Sequence, residues 1–308
     1  RRSLKMSGRN LRQALRPREA TVMRNPHGTA PGLYLPAFAA RRSPHIFLLP
    51  GPPRELQPMF RDSVLPILER LVPARPGIEM RTWRIAGVGE SRVEEIVGEE
   101  LLALGLELGY CARPGEVDLR TIGAPDVLDR ARTLVAAKLG PHIFTDDERS
   151  LEQVVVELLA GRRETVAVAE SCTGGFLAHR ITNVPGASAV FAAGFVAYAN
   201  ETKVRALGVE AAALEQHGAV SAVVARAMAE GARHAAGVDH ALSTTGIAGP
   251  GGGSEEKPVG TVFIALATKL GETIVQQHRF PTDRETFKFL TTQTALDLLR
   301  QRLLGLPA

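Results

Sequence analysis

Thr165-Val166-Ala167-Val168-Ala169-Glu170-Ser171-Cys172-Thr173-Gly174-Gly175 is an apolar run that passes through a polar cluster into paired glycines. The run has the length of a buried strand, and the glycines allow a sharp turn into a helix. The spacing of apolar residues predicts a helix over 151–159 before it and another over 222–236. A strand over 241–245 runs into a glycine loop, strands over 259–267 and 273–279 follow, and a last helix covers 283–304. Helices and strands alternating in this order argue a layered α/β domain with mostly parallel strands.

Working outward, residues 79–140 read as a smaller α+β unit. It has a strand over 80–86, a helix over 90–103, strands over 107–113 and 117–122, and a helix over 124–139. Pro114-Gly115 makes the hairpin turn. Further upstream, residues 44–50 read as a buried strand, ended by Gly51-Pro52-Pro53 and followed by a helix over 54–72. Pro73 and Pro76-Gly77 then interrupt the chain and mark a domain boundary.

The chain has 308 residues with net charge +4. Residues 1–75 hold 14 Lys/Arg against 4 Asp/Glu, so the remainder is acidic. A basic segment can meet nucleic acid or a phosphorylated ligand, or simply form a solvated face or subunit contact. No apolar run approaches the roughly 18–20 residues of a membrane helix. The two cysteines, Cys111 and Cys172, have neither metal-type nor disulfide-framework spacing, and the eight histidines show no metal pattern either. A cytoplasmic protein without membrane association is the expectation.

Three clusters could carry chemistry. At Glu170–Gly175 a hydroxyl or thiol could attack a carbonyl, with helix N-terminal N–H groups holding the oxyanion. The same cluster could cradle a phosphate, or merely cap a helix. Tyr198-Ala199-Asn200-Glu201-Thr202-Lys203 would bring Tyr198 and Lys203 to one mouth. Lys203 could act as a base only if burial lowered its pKa by several units. In Thr245–Gly253, five glycines in eight residues suit a loop laid against a ligand, or a flexible surface loop.

Together and in this order, these clusters resemble the CinA family. AESCTGG, VPGAS (184–188), YANETK, HGAVS (217–221), TGIAGPGGGSEEKPVGT and Asp283-Arg284 match its C-terminal domain, which also occurs alone as a PncC-type nicotinamide-nucleotide amidase. Asn25–Gly32 and Leu49–Glu55 resemble the second half of its molybdopterin-binding-like domain, and Gly87–Ser91 and Gly109–Gly115 its KH-like domain.

The resemblance implies a multi-domain α/β protein. A partial molybdopterin-binding-like α/β segment spans 1–77, a small KH-like α+β domain 78–145, and a layered α/β amidohydrolase domain 148–308. The implied activity converts nicotinamide mononucleotide to nicotinate mononucleotide and ammonia, in pyridine nucleotide salvage. The alternative is a non-catalytic nucleotide-binding or competence-associated regulatory protein. By resemblance Ser171 is the nucleophile, supported by Tyr198 and Lys203, while Cys172 is the rival thiol. Thr173, Gly174, Gly175, Thr245, Gly246, Gly249, Gly251 and Arg284 line the substrate site, with the oxyanion held near Gly174-Gly175 and the 5′-phosphate on Arg284.

No cofactor is expected for the amidase. Members of this family carry a longer front segment, and the sequence opens inside that domain at Ser7–Ala14. The front domain's ADP-ribose pyrophosphatase activity, which would need a divalent metal, is therefore not expected. The expected partner is a small pyridine nucleotide, and a homodimer is expected because exposed sheet edges invite pairing. RNA binding is not, because Gly87-Val88-Gly89 lacks the GxxG spacing of a nucleic-acid clamp.

Overall fold

The computed structural model describes residues 15–38, 42–72 and 77–306; the opening at Ser7–Ala14 and the break at 73–76 lie outside them. The chain divides into two compact units, Arg1–Pro76 and Gly77–Ala308.

In the first unit, strands β1 (Thr21–Met23), β2 (Gly32–Leu35) and β3 (Ile46–Leu48) form an antiparallel sheet in sequence order. The strand expected to be buried over 44–50 is shorter and leaves Ile46 and Leu48 exposed. It is an edge strand, and only its Phe47 face packs inward, stacking on Tyr34. The helix expected over 54–72 is α1 (Pro53–Met59) and α2 (Leu65–Leu71), joined by a π-helical turn at Phe60–Val64. Pro58 and Pro66 lack the N–H groups that a continuous helical ladder requires there. Met23, Met59 and Val64 form the core. Asn25 Nδ2 donates to Glu55 Oε2 at 2.8 Å, so the two segments that resemble the molybdopterin-binding-like domain meet here.

The second unit opens with β4 (Glu79–Ala86). A helix follows as α3 (Glu90–Val93), a π-turn and α4 (Glu99–Ala103); then come β5 (Glu107–Arg113), β6 (Glu116–Gly123), α5 (Pro125–Leu139) and β7 (Ile143–Thr145). The sheet order is β5-β6-β4-β7 with every pairing antiparallel. This is the split β-α-β order of ferredoxin-like folds. One helix, interrupted only by its π-turn, stands between β4 and β5. It leaves no loop between two helices for a GxxG clamp.

The remaining elements are α6 (Leu151–Arg162), β8 (Val166–Glu170), α7 (Phe176–Thr182), β9 (Phe191–Val196), α8 (Asn200–Leu207), α9 (Ala211–His217), α10 (Ala222–Ala236), β10 (His240–Gly246), β11 (Thr261–Thr268), β12 (Ile274–Arg279) and α11 (Arg284–Leu303). Their sheet runs β12-β11-β10-β8-β9. Only β10–β8 and β8–β9 are parallel; β10–β11 and β11–β12 are antiparallel. The expectation of mostly parallel strands is thus corrected. A parallel neighbour needs a crossover, but the glycine loop after β10 and the turn after β11 contain no helix to supply one.

Side-chain alternation explains the layers. Val166, Val168, Val262, Ile264 and Leu266 face α6, α7 and α11, while Ala167, Ala169, Ala265 and Ala267 face α10. Small residues on that second face let α10 lie close to the sheet. From β8 the chain moves to β9 on one side and then to β10 on the other. The crevice beyond the carboxyl ends of β8 and β10 is therefore the switch point where α/β sheets bind ligands.

Candidate active site

A cavity of about 240 Å³ opens at that switch point, lined by residues from five segments. Ser171 and Cys172 follow β8, and Tyr198, Asn200 and Lys203 follow β9. Ala219 and Val220 precede α10, Thr245, Gly246 and Ala248 end β10, and Arg284 opens α11.

Ser171 is fixed by its backbone. Its N–H donates to the Thr244 carbonyl at 2.9 Å, tying the turn to β10. Its hydroxyl has no hydrogen-bond partner among the described residues and faces the cavity. Cys172 lies beside it but is a poor nucleophile: burial pushes its thiol up to about 12, far from the thiolate that would react.

Lys203 is 1% exposed. Its ammonium donates to the Tyr198 carbonyl at 3.1 Å and has no carboxylate partner among the described residues. Burial lowers its pKa below the ordinary lysine value, since desolvation penalises the charged form. Tyr198 has two attachments. Its carbonyl receives Lys203, and its hydroxyl accepts from Arg284 Nη2 at 3.0 Å. Arg284 Nη1 donates to the Gly249 carbonyl at 3.0 Å. Arg284 thus projects into the cavity from the first residue of α11, held by two neutral oxygens with its charge unneutralised. Asp283 does not pair with it; its carboxylate caps the helix by accepting from Glu285 N–H and Thr286 N–H.

Of the residues expected at the site, Ser171, Tyr198, Lys203, Thr245, Gly246 and Arg284 meet around this cavity. Thr245 is oriented by donating to the Ala219 carbonyl at 2.7 Å. Thr173, Gly174, Gly175, Gly249 and Gly251 do not line it. Thr173 is buried beneath, paired with Thr244 Oγ1 at 2.7 Å. Gly249 acts through its carbonyl on Arg284, and Gly251 is exposed.

Near Gly174-Gly175, where the oxyanion is expected, stands the buried Glu170. Its carboxylate already accepts N–H groups from Gly175, Leu177 and Ala178. Glu170 is the residue that sequence reading passed over; an acidic residue ending an apolar strand was the available signal. Asn200, Ala219 and Val220 were also passed over as lining residues, although YANETK and HGAVS contain them. The glycine loop is anchored rather than loose, with Lys257 Nζ donating to the His217 carbonyl at 2.9 Å. Among the described residues no group of three or more His, Cys, Asp or Glu could hold a metal ion, and no helix is long and apolar enough to cross a membrane.

The family model for the CinA C-terminal domain matches residues 148–303. A putative competence-damage inducible protein of Moorella thermoacetica is 47% identical over 305 residues, covering 97% of this chain and 72% of its own length. A CinA-like protein of Akkermansia muciniphila is 46% identical, covering 96% of this chain and 71% of its own. Among solved structures, a competence-damaged protein (CinA) superfamily protein of Klebsiella pneumoniae is 34% identical. It covers 50% of this chain and 96% of its own, with a TM-score of 0.49. Because the family model matches half of the chain and the two relatives match nearly its whole length, the chain belongs to the CinA family.

Proposed function

We propose that the cavity between β8 and β10 is the active site of an amidohydrolase that converts nicotinamide mononucleotide to nicotinate mononucleotide and ammonia. The observation that carries this reading is that two unlike groups line one cavity. One is a free serine hydroxyl with a lysine whose pKa burial has lowered; the other is an arginine with no carboxylate partner. The first pair suits attack on a carbonyl, and the arginine suits a phosphate. A pyridine mononucleotide carries a carboxamide at one end and a phosphate at the other.

Ser171 Oγ attacks the carboxamide carbon while Lys203, in its neutral form, takes the hydroxyl proton. Lys203 is assigned as the base because the Tyr198 hydroxyl is already engaged by Arg284. The amide of Cys172, directly after the nucleophile, is the candidate oxyanion donor, as in nucleophile elbows. Lys203 then returns its proton to the leaving nitrogen, ammonia departs, and water cleaves the acyl-serine to release the acid. Nothing in this sequence requires a metal. A small pyridine nucleotide is thus the proposed partner.

A coupled ammonia assay with nicotinamide mononucleotide and its riboside tests the reading. Release from the mononucleotide is expected, with much weaker release from the riboside. Tight nucleotide binding without ammonia would assign the cavity to the non-catalytic alternative.

A further inference from the structure

Glu170 ends β8 and is 0% exposed, yet its carboxylate is satisfied by backbone rather than by a cation. Oε2 accepts N–H groups from Gly175 and Leu177, each at 3.0 Å, and Oε1 accepts from Ala178 at 2.8 Å. A buried carboxylate is costly unless fully hydrogen-bonded, and charge-assisted bonds of this kind are roughly twice as strong as neutral ones. The same residue's carbonyl accepts the Ala197 N–H at 2.9 Å, immediately before Tyr198. The next amide, of Ser171, donates to Thr244. Residues 170 and 171 therefore fasten the α7 turn, the β9 exit and the β10 end to one point.

Ser171 and Thr173 are tied to Thr244, but the two glycines that follow are not. Gly174 and Gly175 sit at φ 61 and 94, and neither has a side chain to restrain it. Three N–H groups gathered on one carboxylate supply that restraint.

We propose that Glu170 is a positioning residue for Ser171. Its carboxylate locks the Ser171–Gly175 turn so that the Ser171 hydroxyl projects into the cavity. The inference rests on the amidase reading. The side chain must be both anionic and of this length. A glutamine would meet three donors with one acceptor oxygen and turn an NH₂ group toward an N–H.

Glu170→Gln and Glu170→Ala are compared with wild type for kcat, KM and thermal melting. A displaced nucleophile should lower kcat by about 100-fold, since a misplacement near 1 Å can cost that much. KM should stay within about twofold, because the phosphate contact is untouched. Sodium formate, a carboxylate small enough for the vacated space, should restore kcat of Glu170→Ala in a saturable manner, while chloride at equal ionic strength should not. A kcat within about threefold of wild type in both variants overturns the proposal. So does a loss of kcat that tracks melting temperature and KM without formate rescue, which would mean Glu170 only holds the fold.

A second readout does not depend on the substrate. The rate at which a fluorophosphonate modifies Ser171, followed by peptide mass, should fall sharply in Glu170→Gln. An equal rate in the variant, or no labelling of wild type, overturns the proposal. A wild type that is labelled but releases no ammonia defeats the amidase reading alone.

Discussion

Ser171 and Cys172 both line the cavity but differ in burial, and the difference separates their expected mutant behaviour. The Ser171 hydroxyl opens on the cavity, whereas the thiol is buried with its pKa raised to about 12. Ser171→Ala should lower ammonia release by at least about 10³-fold while leaving nucleotide binding near wild type. Cys172→Ala should keep most activity, because no thiolate forms near neutral pH. Equal losses in the two variants, measured as kcat, would remove the serine assignment. Lys203 gives a pH test. Its folded pKa lies below its unfolded value, so the native state binds fewer protons than the unfolded state between the two. Stability from this residue therefore rises with pH across that window, and turnover rises as the neutral amine forms. Lys203→Met should abolish turnover and show its most favourable change in melting temperature below the folded pKa, shrinking as pH approaches 10.5. A difference independent of pH would show that Lys203 carries no burial penalty. Arg284→Lys keeps the charge but loses the planar fork, so mononucleotide affinity should fall by about 1–3 kcal/mol, read by calorimetry. Ser171 and Lys203 were legible as candidates because they lie in short local clusters, and the resemblance assigned their roles and that of Arg284. Glu170 was not, because its partners lie at residues 175, 177 and 178 and only the folded turn gathers them.

At the scale of elements, α10 shows how packing overrides propensity. Ala225, Ala229 and Ala232 let the helix approach the alanine-rich face of the sheet, and Gly231 lets it approach α8. A Cβ added at Gly231 would stand 1.9 Å from the Leu207 carbonyl oxygen, a backbone atom that cannot rotate away. On an exposed helix, Gly→Ala gains about 1 kcal/mol. Here the overpacking cost of about 1–3 kcal/mol or more should exceed it, so Gly231→Ala should destabilise. Urea unfolding checks the sign, and a stabilised variant would mean that α8 and α10 are farther apart than described. Periodicity made α10 and α11 readable to within a residue or so, because each presents long apolar faces. It failed for strand direction: a run such as β11 is buried on both faces whether its neighbour is parallel or antiparallel. The connection decides, and the glycine loop has no helix to carry a crossover. The three-residue β7 was missed because so short a run has no measurable period.

At the scale of the whole second unit, α11 joins the site to the ferredoxin-like sheet. It begins at Arg284 in the cavity, and farther along Gln293 donates to Glu116 at 3.2 Å. Arg300 is completely buried; it donates to Asp297 at 2.7 Å and to the carbonyls of Pro141 and Ile143 at 2.6 and 3.3 Å. In sequence, Asp297 and Arg300 are an ordinary i,i+3 pair, a spacing that reads as a solvated helical stripe. Only the docking of a second sheet turns them into a buried ion pair, so this joint was not legible beforehand. Removing one partner of such a pair leaves a charge stranded in a low-dielectric interior, at a cost of about 3–5 kcal/mol. Asp297→Ala should therefore lower unfolding stability by that amount. The Asp297→Leu/Arg300→Met double variant, with no charge left to strand, should lose less than Asp297→Ala alone. Arg284 lies 13 residues away, about 20 Å along the helix, so kcat should change little in protein that remains folded. The comparison is made by urea melts at several pH values with ammonia release measured in parallel. If Asp297→Ala costs under about 1 kcal/mol, the pair is solvated in solution and the two sheets are not joined through it.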